Sequence, residues 1–133
     1  MSERDDILAA NAAFYRAFAG RDIAAMNALW AARAPVSCLH PGWAPLIGRA
    51  AVLASWTAIL ENPSQPKIEF ADAEARLIGG VGFVICMEEV MGSRLIATNC
   101  FVQEESAWRM VHHQSGPTAA PPRPARRSGG TVH

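Results

Sequence analysis

The sequence predicts an α+β domain in which helices pack on one face of a curved antiparallel sheet. Apolar residues recur at helical spacing through the first half of the chain and turn to strand-like runs from Lys67 onward. The two kinds of segment are segregated rather than interleaved, which favours this class over a parallel βαβ layout. Four strand candidates then follow one another, the last three parted by short Gly- or Ser-containing turns, so consecutive hairpins are expected.

Taken in order, Ile7, Leu8, Ala12, Phe14, Tyr15 and Phe18 form one apolar stripe. This predicts a helix over 4–19, with Ser2 or Asp5 as its N-cap and Gly20 as its stop. A second, shorter helix follows in "RDIAAMNALWA", with Ile23, Met26, Leu29 and Trp30 on one face. "PVSCLHP" alternates as a short strand, "GWAPLIG" reads as a turn-rich link, and "RAAVLASWTAILENP" is a third helix closed by Asn62-Pro63. The strand candidates are "KIEFADAEARLIGG", "VGFVICMEEVMG", "SRLIATNCFVQEE" and "AWRMVHHQS". Gly79, Gly80 and Gly82 are expected in the first turn or a bulge.

A chain of 133 residues with 50% hydrophobic content is expected to form one domain, over 1–117, burying roughly two-thirds of its unfolded surface. Residues 118–133, rich in Pro, Arg and Gly, read as a flexible tail. Formal charge sums to zero, and up to Pro117 twelve acids face nine bases, a net of −3. Such a balance argues against nucleic acid or an anionic membrane as partner. The three cysteines, Cys38, Cys86 and Cys100, lie in apolar runs without a metal-binding spacing, which favours reduced thiols in a cytoplasmic protein. The acidic start "MSERDDILAA" has no signal-peptide h-region, and no apolar run is long enough to span a bilayer.

Several strings carry a family resemblance: "VSCLHPGWAPLIGRAAVLASW", "CMEE", "LIATNCF" and the closing "WRMVHHQSGP". From about Asp5 to Pro117 the chain resembles the SnoaL-like and ketosteroid-isomerase-like branch of the nuclear transport factor 2 superfamily. The resemblance implies a cone-shaped half-barrel with three helices over the concave face of the sheet and a pocket between them. It also implies a homodimer through the sheet's outer face. It implies no single chemistry, because that superfamily holds isomerases, dehydratases, hydrolases, cyclases and non-catalytic adaptors.

Six residues stand out as candidate site residues. Glu88 interrupts an apolar strand, Asn99 interrupts "LIATNCF", and a hairpin turning at Gly92-Ser93 would make them diagonal neighbours on one face. A carboxylate, an amide and an imidazole in an apolar cavity suit proton abstraction. His112 and His113 must point to opposite faces. Counting from Trp108 and Met110, His112 is the inward residue unless a bulge shifts the register. Glu88, His112 and Asn99 are therefore the catalytic candidates, and His40, Trp43 and Trp56 the candidates for lining the pocket. Each has a structural alternative: a turn-capping or hydrogen-bonded histidine, a core tryptophan, or an ion-pair network of Glu88 and Asn99 with Arg49, Arg94 or Arg109. Against ketosteroid-isomerase chemistry, the only tyrosine, Tyr15, falls on the first helix. No phosphate loop, nucleophile elbow, nucleotide fingerprint or metal motif is present, so no cofactor or metal is expected. The function that follows is binding of a small apolar molecule, with cofactor-free isomerisation, dehydration or hydrolysis by proton transfer; the alternative is a non-catalytic homodimeric scaffold whose pocket its own side chains fill.

Overall fold

A computed structural model describes residues 2–119. The expected tail over 118–133 lies outside the described residues from residue 120 onward. The elements run α1 (Glu3–Ala19), α2 (Ile23–Leu29), β1 (Ser37–Leu39), β2 (Leu46–Ile47) and α3 (Arg49–Glu61), followed by β3 (Ile68–Ile78), β4 (Val81–Val90), β5 (Ser93–Glu104) and β6 (Ala107–Pro117). Three helices pack against a curved, unclosed sheet of order β2-β1-β6-β5-β4-β3, an α+β architecture.

Local chemistry sets the helix ends. Ser2 and Asp5 form a reciprocal capping box at the start of α1. Asp22 caps α2 by accepting from the backbone N–H of Ala25. The carbonyls at the end of α2 are met by two arginines: Arg49 donates to Asn27 and Ala31, and Arg109 to Ala28. Arg49, at the start of α3, thus spends its guanidinium on backbone carbonyls rather than on a carboxylate.

Two features of the sheet differ from the sequence reading. It is mixed, because β1 pairs in parallel with β6, residue Cys38 beside His113. The "GWAPLIG" link also holds the two-residue strand β2, too short for alternation to reveal. Two bulges interrupt the ladder. One lies in β3 between Ala71 and Glu74, where Asp72 takes a left-handed φ of 58°. The other lies in β6, where Cys100 pairs with His112 but Phe101 with Met110, leaving Val111 as the extra residue.

The core lies between α1, α3 and the inner sheet face. Ile7, Phe14, Met26, Trp30, Trp56, Val84, Phe101 and Met110 are all buried there. Gly82 is inside β4 rather than in a turn, and a Cβ at this position would sit 2.7 Å from Ile7 Cδ1. Its missing side chain is what lets α1 lie close on the sheet. That approach brings the inward face of α1, Asn11 and Tyr15 included, down onto Glu88 of β4 and Asn99 of β5.

Candidate functional site

Glu88 is the buried carboxylate of the inner sheet face, only 1% exposed. The β4–β5 hairpin turns at Met91-Gly92 with Val90 opposite Ser93, so Glu88 faces Leu95, Cys86 faces Ala97 and Val84 faces Asn99. The register is two residues off the one expected from a Gly92-Ser93 turn. A shift of two keeps every side chain on its face, so Glu88 and Asn99 both point inward, but Ala97 lies between them instead of a diagonal contact. The small Ala97 leaves room for Glu88 to reach across β5 to β6, where Ser115 donates to its Oε1 at 2.5 Å. On the other side the Tyr15 hydroxyl donates to Oε2 at 2.6 Å.

Tyr15 joins the carboxylate to the amide. Its hydroxyl accepts from Asn99 Nδ2 at 3.2 Å, and the same nitrogen donates to Asn11 Oδ1 at 2.8 Å. With both Asn99 amide hydrogens so directed, Asn99 Oδ1 is the acceptor left for His113 Nδ1, at 2.6 Å. A continuous chain of hydrogen bonds thus runs from Glu88 through Tyr15 and Asn99 to His113. Neither Arg49, Arg94 nor Arg109 takes part; Arg94 pairs with Glu89 at 3.2 Å on the outer face.

His113, not His112, is the inward histidine. The bulge at Val111 reverses the alternation after Met110, so His113 and Ser115 are buried and His112 turns to the other face. There its Nδ1 lies 2.7 Å from Ser37 Oγ. His112 is thus removed from the candidate site and His113 takes its place. The bulge was the stated exception to the count from Trp108, and nothing in "AWRMVHHQS" marks it.

A second imidazole approaches from β1. His40 Nε2 is 2.9 Å from Ser55 Oγ, whose own hydroxyl hydrogen goes to the Val52 carbonyl at 2.7 Å. Ser55 therefore accepts, and His40 carries its hydrogen on Nε2. The His40 and His113 ring centroids are 6.3 Å apart. Trp56 lies behind both, edge-on to His40 with centroids 4.8 Å apart and tilted against His113 at 5.7 Å.

Electrostatics follow from burial. Desolvation raises the Glu88 carboxyl above its ordinary range, only partly offset by the hydrogen bonds from Ser115 and Tyr15. Burial drives His40 down to about 4, and burial together with the neighbouring histidines drives His113 down to about 3. Both imidazoles are neutral at neutral pH. Burial and then the Glu88 charge raise the Tyr15 hydroxyl, so it stays a donor. Burial also pushes the thiols of Cys38 and Cys86 up, to about 12 and about 11, so neither is a thiolate nucleophile.

These groups form one end of a cavity of about 670 Å³. Glu88, Ser115, His113 and His40 are its buried polar lining residues; Phe18, Ile59, Ile68, Val90 and Leu95 supply apolar wall. Trp43, 47% exposed and 4.7 Å ring to ring from His40, stands at the mouth. Of the six residues singled out in the sequence, Glu88, His40 and Trp43 line the cavity. Asn99 and Trp56 sit directly behind it, and His112 is on the opposite face. The sequence reading missed Tyr15, Asn11, Ser55, His113 and Ser115 as site residues. Asn11 and Tyr15 had a usable signal, because polar groups four residues apart share the stripe of Ile7, Phe14 and Phe18. Among the described residues, no cluster of three His, Cys, Asp or Glu side chains is spaced to hold a metal ion.

Comparison with known proteins gives a consistent frame. The family model of the SnoaL-like domain matches residues 7–120. A solved structure from Streptomyces avermitilis, provisionally assigned as a dehydratase of the NTF2-like family, is 29% identical, with 89% of this chain and 97% of that chain covered and a TM-score of 0.80. One from Thiobacillus denitrificans, provisionally assigned as a calcium/calmodulin-dependent protein kinase type II association domain, is 33% identical over 84% of this chain and 94% of that one, with a TM-score of 0.73. A Caulobacter vibrioides protein with a cystatin-like fold, 20% identical over 86% and 88% of the two chains at a TM-score of 0.72, shares the fold alone. No curated protein matches the sequence.

Proposed function

Because this chain belongs to the SnoaL-like domain family of the NTF2-like superfamily, in which one fold serves several roles, we propose its role from the site itself: it binds a small, largely apolar molecule in the cone cavity and moves a proton on it without a cofactor. The observation that carries this reading is Glu88, a buried carboxylate at the deep end of an open apolar cavity, with hydroxyl donors and, among the described residues, no cation beside it. Ionised, it is a base whose proton affinity burial has raised. Tyr15 and Ser115 hold its two oxygens in place, and His113 lies on the same chain of hydrogen bonds.

The reaction class is isomerisation or dehydration. Glu88 takes a proton from carbon, and as the newly formed acid returns it either to another carbon or to a leaving hydroxyl, which departs as water. The provisional dehydratase assignment of the Streptomyces avermitilis relative agrees with the second course. The test is proton exchange in D2O, followed by NMR, over a panel of β-hydroxy ketones and hydroxylated bicyclic ketones. The wild-type protein is expected to incorporate deuterium or release water from at least one member, and Glu88→Gln to lose that activity. Exchange that persists undiminished in Glu88→Gln would remove the carboxylate from the mechanism.

A second reading is favoured by a different observation. Ile85 and Ile96 are partly exposed on the outer sheet face, and the Thiobacillus denitrificans relative is provisionally an association domain. We read this face as the homodimer contact, which is compatible with either a catalytic or a scaffolding role. Sedimentation of wild-type and Ile85→Lys proteins distinguishes a dimer through this face, which the lysine breaks, from a monomer.

A further inference from the structure

At the deep end of the cavity the donors of the polar lining groups, Ser115, His113 and His40, are already committed and acceptors are left over; the unpartnered donors nearby, Asn11 Nδ2 and the Trp56 indole N–H, belong to residues that do not line it. Tyr15 and Ser115 spend their hydroxyl hydrogens on Glu88. Asn99 spends its amide hydrogens on Asn11 and Tyr15, which obliges His113 to carry its own hydrogen on Nδ1. His40 is obliged by Ser55 and Val52 to carry its hydrogen on Nε2. The nitrogens without a hydrogen are therefore His113 Nε2 and His40 Nδ1. The latter has Cys38 Sγ at 4.0 Å, the outer limit of a sulfur contact. Both imidazoles belong to the cavity lining.

No lysine or arginine lines the cavity among the described residues. An anionic head would thus lie beside the Glu88 carboxyl group with no cation to offset it, whereas a hydroxyl hydrogen finds a bare acceptor. We propose that the cavity selects uncharged ligands that carry a hydroxyl on an apolar body, with His113 Nε2 as the acceptor that seats the hydroxyl. This proposal rests on the reading of the cavity as a small-molecule site. It names the substrate class: alcohols, phenols or enols rather than acids. Asn99 is then a positioning residue. It touches no ligand and acts by fixing which nitrogen of His113 is bare.

The test uses one apolar body with four heads: 2-naphthol, 2-methoxynaphthalene, 2-naphthylmethylammonium and 2-naphthoate, titrated into the full-length protein by ligand-observed NMR. The naphthol is expected to bind at least tenfold more tightly than the methoxy compound, and the naphthoate and ammonium more weakly than the naphthol. His113→Asn keeps an amide near the Nδ1 position for Asn99 but removes the Nε2 acceptor, and is expected to bring naphthol and methoxynaphthalene within twofold of each other. A readout independent of that variant's folding is the ¹⁵N spectrum of wild-type His113: hydrogen on Nδ1, a bare Nε2, and a shift of Nε2 alone when naphthol is added. Equal binding of naphthol and methoxynaphthalene, tighter naphthoate or ammonium, or a hydrogen on Nε2 would overturn the donor-seeking cavity while leaving a small-molecule site intact. If none of the four binds, the cavity reading falls with it.

Discussion

Glu88 and Glu104 each accept several short hydrogen bonds, yet their proton affinities move in opposite directions. Glu104, at the end of β5, accepts from the backbone N–H groups of Ala32, Arg33 and Ala34 at 2.8 to 3.0 Å, and those bonds hold its carboxyl below the ordinary range. Glu88 accepts from two hydroxyls at 2.5 and 2.6 Å and is nonetheless raised. The difference is water. Around Glu104 solvent still reaches the carboxylate, so the amide donors decide; around Glu88 the apolar walls remove solvation, and two donors do not replace it. One carboxylate clips the loop after α2 to the β5–β6 turn. The other keeps a poorly solvated carboxyl group of raised proton affinity beside a cavity, where ionising it is costly to the fold and useful for chemistry.

The largest test of this contrast swaps each carboxylate for its neutral amide. Glu88→Gln is expected to lower turnover by about 10²- to 10⁴-fold in any exchange reaction the wild type performs. At pH 8 it should raise the melting temperature by about 4 °C. Glu104→Gln should leave turnover unchanged and lower the melting temperature. Thermal melts of the two variants moving in the same direction would contradict the comparison.

Next in size is the pH dependence of stability. His40 and His113 are neutral in the folded protein but titrate near 6.5 when unfolded, so the unfolded chain binds more protons below that value. Stability is therefore present above pH 6.5 and lost as pH falls from 6.5 toward about 4 for His40 and about 3 for His113, by up to about 1.4 kcal/mol per pH unit for each. Glu88 acts in the opposite sense: with its folded value raised, ionising it removes stability as pH rises above about 4.5 toward that value. Urea unfolding at pH 7 and pH 5 should show a net loss at pH 5, a smaller loss in His113→Asn and a larger one in Glu88→Gln. A wild type equally stable at both values would mean the two imidazoles are not buried as neutral groups.

A smaller effect probes how α1 delivers Tyr15 and Asn11. Gly82→Ala places a methyl against Ile7 and should destabilise by about 1–3 kcal/mol. If α1 shifts in response, the naphthol affinity falls with stability; Ile7→Val in the same background should recover part of both. Smallest of all, the β5–β6 turn carries left-handed φ angles at Glu105 and Ser106, 53° and 68°, without a glycine. Replacing the pair with Asn-Gly should stabilise by about 0.5–1 kcal/mol and leave the site untouched.

Much of the architecture was legible in the chain alone. The stripe from Ile7 to Phe18, the Ser2 and Gly20 ends of α1 and the Asn62-Pro63 stop of α3 are local matters of periodicity and capping. The run of hairpins is local too, because two-residue turns need only their own residues. Glu88 and Asn99 could be picked out because a polar residue in an apolar strand needs a partner. What those partners are could not be read there. Tyr15 reaches Glu88 across 73 positions, and it does so because Gly82 lets α1 settle on β4. Which of two adjacent histidines turns inward depends on one extra residue at Val111, a choice made by pairing with β5 and β1 rather than by β6 itself. The sequence determined the elements and the polar residues that had to be satisfied; tertiary structure decided who satisfies them, because hydrogen bonds between distant segments and the register of a sheet exist only once the chain has closed on itself.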